Sequence, residues 1–271
     1  MNERRITLAG QEIAFKESEG TGRPVILVHG NSSSARVWNP LLTGAFGERF
    51  RVLALDLPGH GGSAPAAAPE AYSLPGYAAV LADFAKVVAA EDAVIVGWSL
   101  GGHIALEAAD ALPETAGFVI FGTPPVSGPA DMGEAFLPNP AVGVGFIAAV
   151  DADQARTYAE SFLIAGSTLP TGELVEDILA TDGAARENLV ASLQTGRFAD
   201  EVRIVAGLKQ PIAVLQGAGE QLVNLDYLRR LAIPTLWRGA VQVLPGVGHA
   251  PQVEAPEEFA DVLTEFITEL D

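Results

Sequence analysis

The sequence predicts an α/β fold: a mostly parallel, eight-stranded sheet flanked by helices, with a helical segment inserted after the sixth strand. Three observations carry that prediction. Short, β-rich apolar runs bounded by Gly, Pro or Asp recur along the chain, the pattern of strands buried on both faces. Stretches with apolar residues at helical spacing separate most of them. The alternation then stops after Phe121 and resumes only at Ile212.

Residues 5–8 and 12–16 read as two short paired strands joined at Ala9-Gly10-Gln11. Apolar runs at 25–28, 52–55, 93–96 and 118–121 supply the next four strands, and 212–215 and 241–244 the last two. Helical spacing covers 74–89, 100–112 and 225–231. The last helix runs from Pro256 to about residue 270; its opening Pro and two Glu suit the first turn and the positive end of a helix. Between residues 124 and 208 no strand is convincing. Thr123 to Pro129 is a loop by composition, and helical patterns follow at 152–164, 172–180 and 184–193. The expected division is a core of residues 1–123 and 209–271 with a helical cap at 124–208.

Hydrophobic residues make up 49% of the 271, enough for a sizeable core. The formal net charge of -18 repels nucleic acid and anionic lipid and favours small neutral substrates, although solubility alone is the simpler reading. With no cysteine there is no disulfide, thiolate metal site or cysteine nucleophile. Basic residues near the start have no long apolar run behind them, and no stretch of about 18 apolar residues is free of charges and breakers. Neither a signal peptide nor a membrane span is expected, and the cytoplasm is the expected location. Nothing in the sequence fixes an oligomeric state.

Gly97-Trp98-Ser99-Leu100-Gly101 fits G-x-S-x-G between a strand and a helix. Such a turn strains the serine backbone, requires small residues two before and two after it, and exposes the hydroxyl at the strand's end. The following helix aims its first N–H groups at the same point, so Leu100 is expected to donate to a developing oxyanion. A Gly-rich turn without chemistry is the alternative.

His29-Gly30-Asn31 follows the third strand, and the Asn31 N–H is the expected second oxyanion donor. Ser32, Ser33 and Ser34 can cap the next helix. His29 itself reads as structural. Asp56-Leu57-Pro58-Gly59-His60-Gly61-Gly62-Ser63 reads as a tight structural turn. His249 follows the last strand and suits a general base near neutral pH. Glu220, after the seventh strand, is the expected acid partner, with Asp226 in reserve.

Taken together, His29-Gly30, Asp56-x-Pro58-Gly59-x-Gly61-x-Ser63, Gly97-Trp98-Ser99-Leu100-Gly101-Gly102, an acid after the seventh strand and Gly248-His249 resemble the α/β-hydrolase fold family over all but the cap. The run His-Gly-Asn-Ser-Ser-Ser and a Glu at the acid position are similar to the AidH-type N-acyl-homoserine lactonases, metal-independent quorum-quenching enzymes. That resemblance implies lactone-ring hydrolysis through a Ser99-His249-Glu220 triad. It also implies substrate contact by Tyr158, for which packing within the cap is the alternative. Trp98, beside Ser99, and Phe136 and Phe162 join Tyr158 as candidate substrate-binding residues. Phe146, Ile147 and Leu163 are further candidates for an apolar acyl pocket, though packing accounts for most such residues.

The partner expected is a small ester or lactone. Haloalkane and epoxide chemistry on this fold use Asp where Ser99 stands. His29, His60, His103 and His249 form no closely spaced cluster, so no metal is expected. No G-x-G-x-x-G follows the first strand, and no cofactor is expected. A broad carboxylesterase, a carbon–carbon bond hydrolase and a ligand-binding or signalling protein on a hydrolase scaffold are the competing readings.

Overall fold

A computed structural model of the chain describes residues 1–270. Ala9 and Gly10, at φ 48° and 86°, make the two-residue turn between β1 (Asn2–Leu8) and β2 (Gln11–Glu17). Two left-handed residues give such a turn the twist its strands need. Six further strands follow: β3 (Pro24–Val28), β4 (Arg51–Leu55), β5 (Val94–Trp98), β6 (Gly117–Phe121), β7 (Ile212–Gly217) and β8 (Gln242–Leu244). They form one sheet in the order β1-β2-β4-β3-β5-β6-β7-β8. β1 and β2 pair antiparallel with each other, and β2 pairs antiparallel with β4; all other neighbours are parallel. Every residue of β5, β6 and β7 is buried, which explains their unbroken apolar runs.

Helices cover the sheet. α1 (Asn39–Thr43) and α2 (Ala45–Arg49) precede β4, α3 (Leu74–Val87) precedes β5, and α4 (Leu100–Glu107) leads from β5 towards β6. Ser73 caps α3 by accepting the Gly76 N–H, and Leu74, Tyr77, Ala78, Leu81, Phe84 and Ala85 form its buried stripe. Between the adjacent strands β6 and β7 the chain makes α5 (Met132–Ala135), α6 (Ala152–Ser161), α7 (Gly172–Ala180), α8 (Gly183–Gln194) and α9 (Glu201–Gly207). Asp151 and Gln154 close a capping box at the start of α6. α10 (Leu225–Arg230), α11 (Pro251–Glu254) and α12 (Pro256–Glu269) complete the chain; α12 buries Phe259, Leu263, Phe266 and Ile267.

The strands stand where the sequence puts them, with ends moved by one to three residues. β5 extends through Gly97 and Trp98, which pair with Ile120 and Phe121. Three expected helices end two or more residues early. The stretch 100–112 stops its α-helix at Glu107 and continues as a 3-10 turn, because Leu112 precedes Pro113 and leaves the helical region. The helix expected over 152–164 ends at Ser161, since the backbone of 162–164 bonds to other loops. The helix expected over 74–89 ends at Val87. Short helices α1, α2, α5, α9 and α11 carry too few turns for a readable hydrophobic period.

β3 bonds to β4 on one side and to β5 on the other. The strand order therefore reverses at β3, and the crevice beyond its carboxyl end is where open α/β sheets bind ligands. His29-Gly30-Asn31 and Ser99 both leave the sheet there.

Candidate active site

Ser99 joins β5 to α4 with φ 54° and ψ -117°, a conformation a non-glycine residue adopts only when its surroundings hold it. Its N–H is tied to Phe121 O at 2.9 Å. A Cβ on Gly97 would lie 2.5 Å from Gly102 Cα, and one on Gly101 would lie 2.8 Å from His29 O. Only glycine fits on either side, as the motif requires. Leu100 opens α4, where an N–H has no acceptor within the helix.

Beyond β3, the Asn31 amide donates to Gly145 O at 2.7 Å and its oxygen accepts from Ser32 Oγ at 3.0 Å. Ser34 caps the next turn through the Arg36 N–H. Behind this loop His29 donates from Nδ1 to Gly30 O at 2.8 Å and accepts the Leu57 N–H on Nε2 at 3.0 Å. Both bonds require a neutral ring, and burial lowers the His29 pKa to about 4. His60 stands 5.1 Å from it, held to Pro58 O, with its pKa lowered to about 3 by burial and by His29. Asp56 accepts the N–H groups of Ala35 and Gly62, while burial raises its carboxyl. This group braces the loop that carries Asn31.

On the other side, His249 Nδ1 meets Glu220 Oε2 at 2.8 Å, with the side chains only 2% and 3% exposed. Glu220 Oε1 accepts the Leu222 N–H at 2.7 Å. His249 Nε2 is buried without a protein partner. Gly122, at φ 60°, makes room for the ring: a Cβ there would lie 2.8 Å from Nδ1 and 3.1 Å from Nε2. Asp226, the reserve acid, lies on α10 with its side chain 82% exposed and an ion pair to Arg229, whereas the His249 ring is buried against Glu220.

Ser99 and His249 line one cavity of about 280 Å³ together with Asn31 and Leu100. The segment between β6 and β7 roofs it with Phe136, Phe146, Tyr158 and Phe162. Three other residues differ. Trp98 does not line the cavity; it lies behind it, 1% exposed, with its indole N–H donating to His249 O at 2.8 Å. Its indole packs instead against Phe162 and the His249 ring, with centroids 5.4 and 5.8 Å away. Ile147 turns outward, 38% exposed, and Leu163 lines a separate surface depression.

Sequence reasoning missed two carboxylates. Glu254 accepts the N–H groups of Ile164 at 2.6 Å and Gly248 at 2.5 Å, joining the roof to the His249 loop. Glu201 meets His103 Nδ1 at 2.8 Å on the cavity wall. Neither has a local sequence signal, because most of their partners lie far away along the chain. Among the described residues, no three His, Asp or Glu side chains are grouped so as to hold a metal ion. Among them, too, no helix is long and apolar enough to cross a membrane.

Comparison with known proteins fits this geometry. Residues 25–262 match the model of the alpha/beta hydrolase family. The structure of N-acyl homoserine lactonase AidH complexed with N-butanoyl homoserine superposes with a TM-score of 0.95 at 36% identity, covering 100% of this chain and 97% of that one. The pimeloyl-[acyl-carrier protein] methyl ester esterase of Pectobacterium carotovorum is 30% identical over 93% of this chain and 97% of its own length. The dihydrolipoyllysine-residue acetyltransferase component of the acetoin cleaving system of Pseudomonas putida is 29% identical, and this chain spans 64% of its length. The chain therefore belongs to the alpha/beta hydrolase family and is a hydrolase of carboxylic ester bonds.

Proposed function

We propose that this hydrolase opens the lactone ring of N-acyl-homoserine lactones, quenching them as quorum signals, with Ser99 as nucleophile, His249 as general base and Glu220 as its orienting acid. The observation that carries the reading is the buried His249–Glu220 contact beside a serine elbow, under an apolar roof of acyl-chain size. The likeness to AidH over the full length of the chain supports the choice of lactone.

In the reaction, the Glu220 carboxylate keeps the imidazole proton on Nδ1 and leaves Nε2 free to take the proton of Ser99. Ser99 Oγ attacks the ring carbonyl. The negative oxygen that forms is held by the N–H groups of Asn31 and Leu100, which supply about 3 kcal/mol each. The imidazolium then protonates the departing ring alkoxide. The ring opens, and the acyl group stays on Ser99 with the alcohol still attached. Water, deprotonated by Nε2, attacks this ester, and the imidazolium returns the proton to Ser99. The acyl chain lies under Phe136, Phe146 and Phe162, and Tyr158 flanks the head group. The sequence uses only groups of this chain and water.

Product analysis by mass spectrometry with a short-chain and a long-chain lactone tests the reading. Ring opening adds one water and gives a single N-acyl-homoserine, absent with Ser99→Ala. Release of free homoserine lactone would mean amide cleavage instead. Hydrolysis of simple methyl or nitrophenyl esters with both lactones untouched would favour a carboxylesterase, a reading the methyl ester esterase relative supports.

A further inference from the structure

We propose that His103 forms a polar subsite in the acyl-chain cavity for an oxygen substituent on the third acyl carbon, an inference that rests on the lactone reading above. His103 stands one turn after Ser99 in α4 and lines the same cavity. Its neighbours on that wall are apolar: Val126, Met132, Phe198 and Phe136, whose ring lies 6.3 Å away. A polar atom in such a wall costs free energy unless something pairs with it.

The ring is held in place by design of the surrounding chain. Both oxygens of Glu201 approach Nδ1, at 2.8 and 2.9 Å, and Glu201 has no exposed surface. The same carboxylate accepts the Val126 N–H at 3.0 Å, and the Glu201 N–H donates to Val126 O at 3.0 Å. Glu201 thus fixes the Nδ1 proton and leaves Nε2 as the ring's remaining polar atom for the cavity.

The distances suit the chemistry. Four residues along a helix advance about 6 Å from Ser99 to His103. In an N-acyl-homoserine lactone, five bonds separate the ring carbonyl carbon from the third acyl carbon, an extended span of roughly 6 Å. With a neutral ring, Nε2 accepts from a 3-hydroxyl; with a protonated ring, Nε2–H donates to a 3-oxo group.

Initial rates with N-octanoyl-, N-(3-hydroxyoctanoyl)- and N-(3-oxooctanoyl)-homoserine lactone test this. One oxygenated lactone should exceed the plain one in kcat/KM by roughly 5- to 10-fold. His103→Phe should erase that ratio and His103→Gln should retain part of it; a ratio cancels any general loss of activity. Preference for the 3-oxo chain, which can only accept, reports that Nε2 donates. The same ratio in His103→Phe overturns the subsite. Should that variant not fold, the wild-type ratio decides: equal turnover of all three lactones, or preference for the plain chain, overturns the subsite alone. If the wild type opens none of them, the lactone reading falls and the subsite with it.

Discussion

Glu220 and His249 meet at 2.8 Å in a place from which solvent is excluded, and the carboxylate's second oxygen is already committed to a backbone N–H. In the proposed reaction this carboxylate fixes the imidazole tautomer and stabilises the imidazolium. Glu220→Gln preserves shape but permits the wrong tautomer, so kcat on a nitrophenyl ester should fall about 1,000- to 10,000-fold. Asp226→Asn, at an exposed position on α10, should leave the rate unchanged.

Trp98 acts on the same histidine through its backbone. Trp98→Phe keeps the ring packed against Phe162, 5.4 Å away, but removes the donor to His249 O. The buried carbonyl left without its partner should cost about 1–3 kcal/mol in urea unfolding. The looser histidine should lower kcat more than it raises KM, which steady-state kinetics will separate.

Glu254 uses two oxygens for two backbone donors. An amide has one acceptor oxygen, so Glu254→Gln strands either Ile164 or Gly248. A stability loss of about 1–3 kcal/mol is expected. Hydrogen exchange should quicken at those two amides before it does in the sheet.

The buried histidines set the acid limit. His29 and His60 have pKa values of about 4 and about 3 in the fold, against 6.5 when unfolded. Between these limits the unfolded chain binds protons that the fold refuses, so their contribution is complete above about pH 6.5 and is lost as pH falls towards 4 and 3. The slope approaches about 1.4 kcal/mol per pH unit for each histidine. Asp56 and Asp177, raised by burial above the ordinary 3.8, act in the opposite sense from about that pH upward. Urea midpoints should therefore drop between about pH 7 and pH 5.5. His60→Gln should make that drop smaller.

Much of this was readable before any coordinates. The elbow at Ser99 is local: its glycines are required by contacts within a few residues or with the neighbouring strand, so the motif carries its own geometry. Glu220 follows from strand order, because β7 delivers its carboxyl end beside β8. Trp98 misleads because adjacency in sequence suggests adjacency to substrate, whereas its indole is held behind the cavity by His249, 151 residues away. Glu254 and Glu201 were illegible for another reason. A carboxylate in a short helix looks solvated until folding brings Ile164 or His103 to it from some 90 residues or more away. The region 124–208 was readable as helical but not in its lining, since one apolar stripe faces the cavity and another the core.

The backbone of residues 162–164 is riveted to the loops bearing the proposed base and acid: Ala250 N–H to Phe162 O, Ile164 N–H to Glu254, and the Gln221 amide to Leu163 O. That margin of the roof cannot part from the sheet without dragging the imidazole out of line.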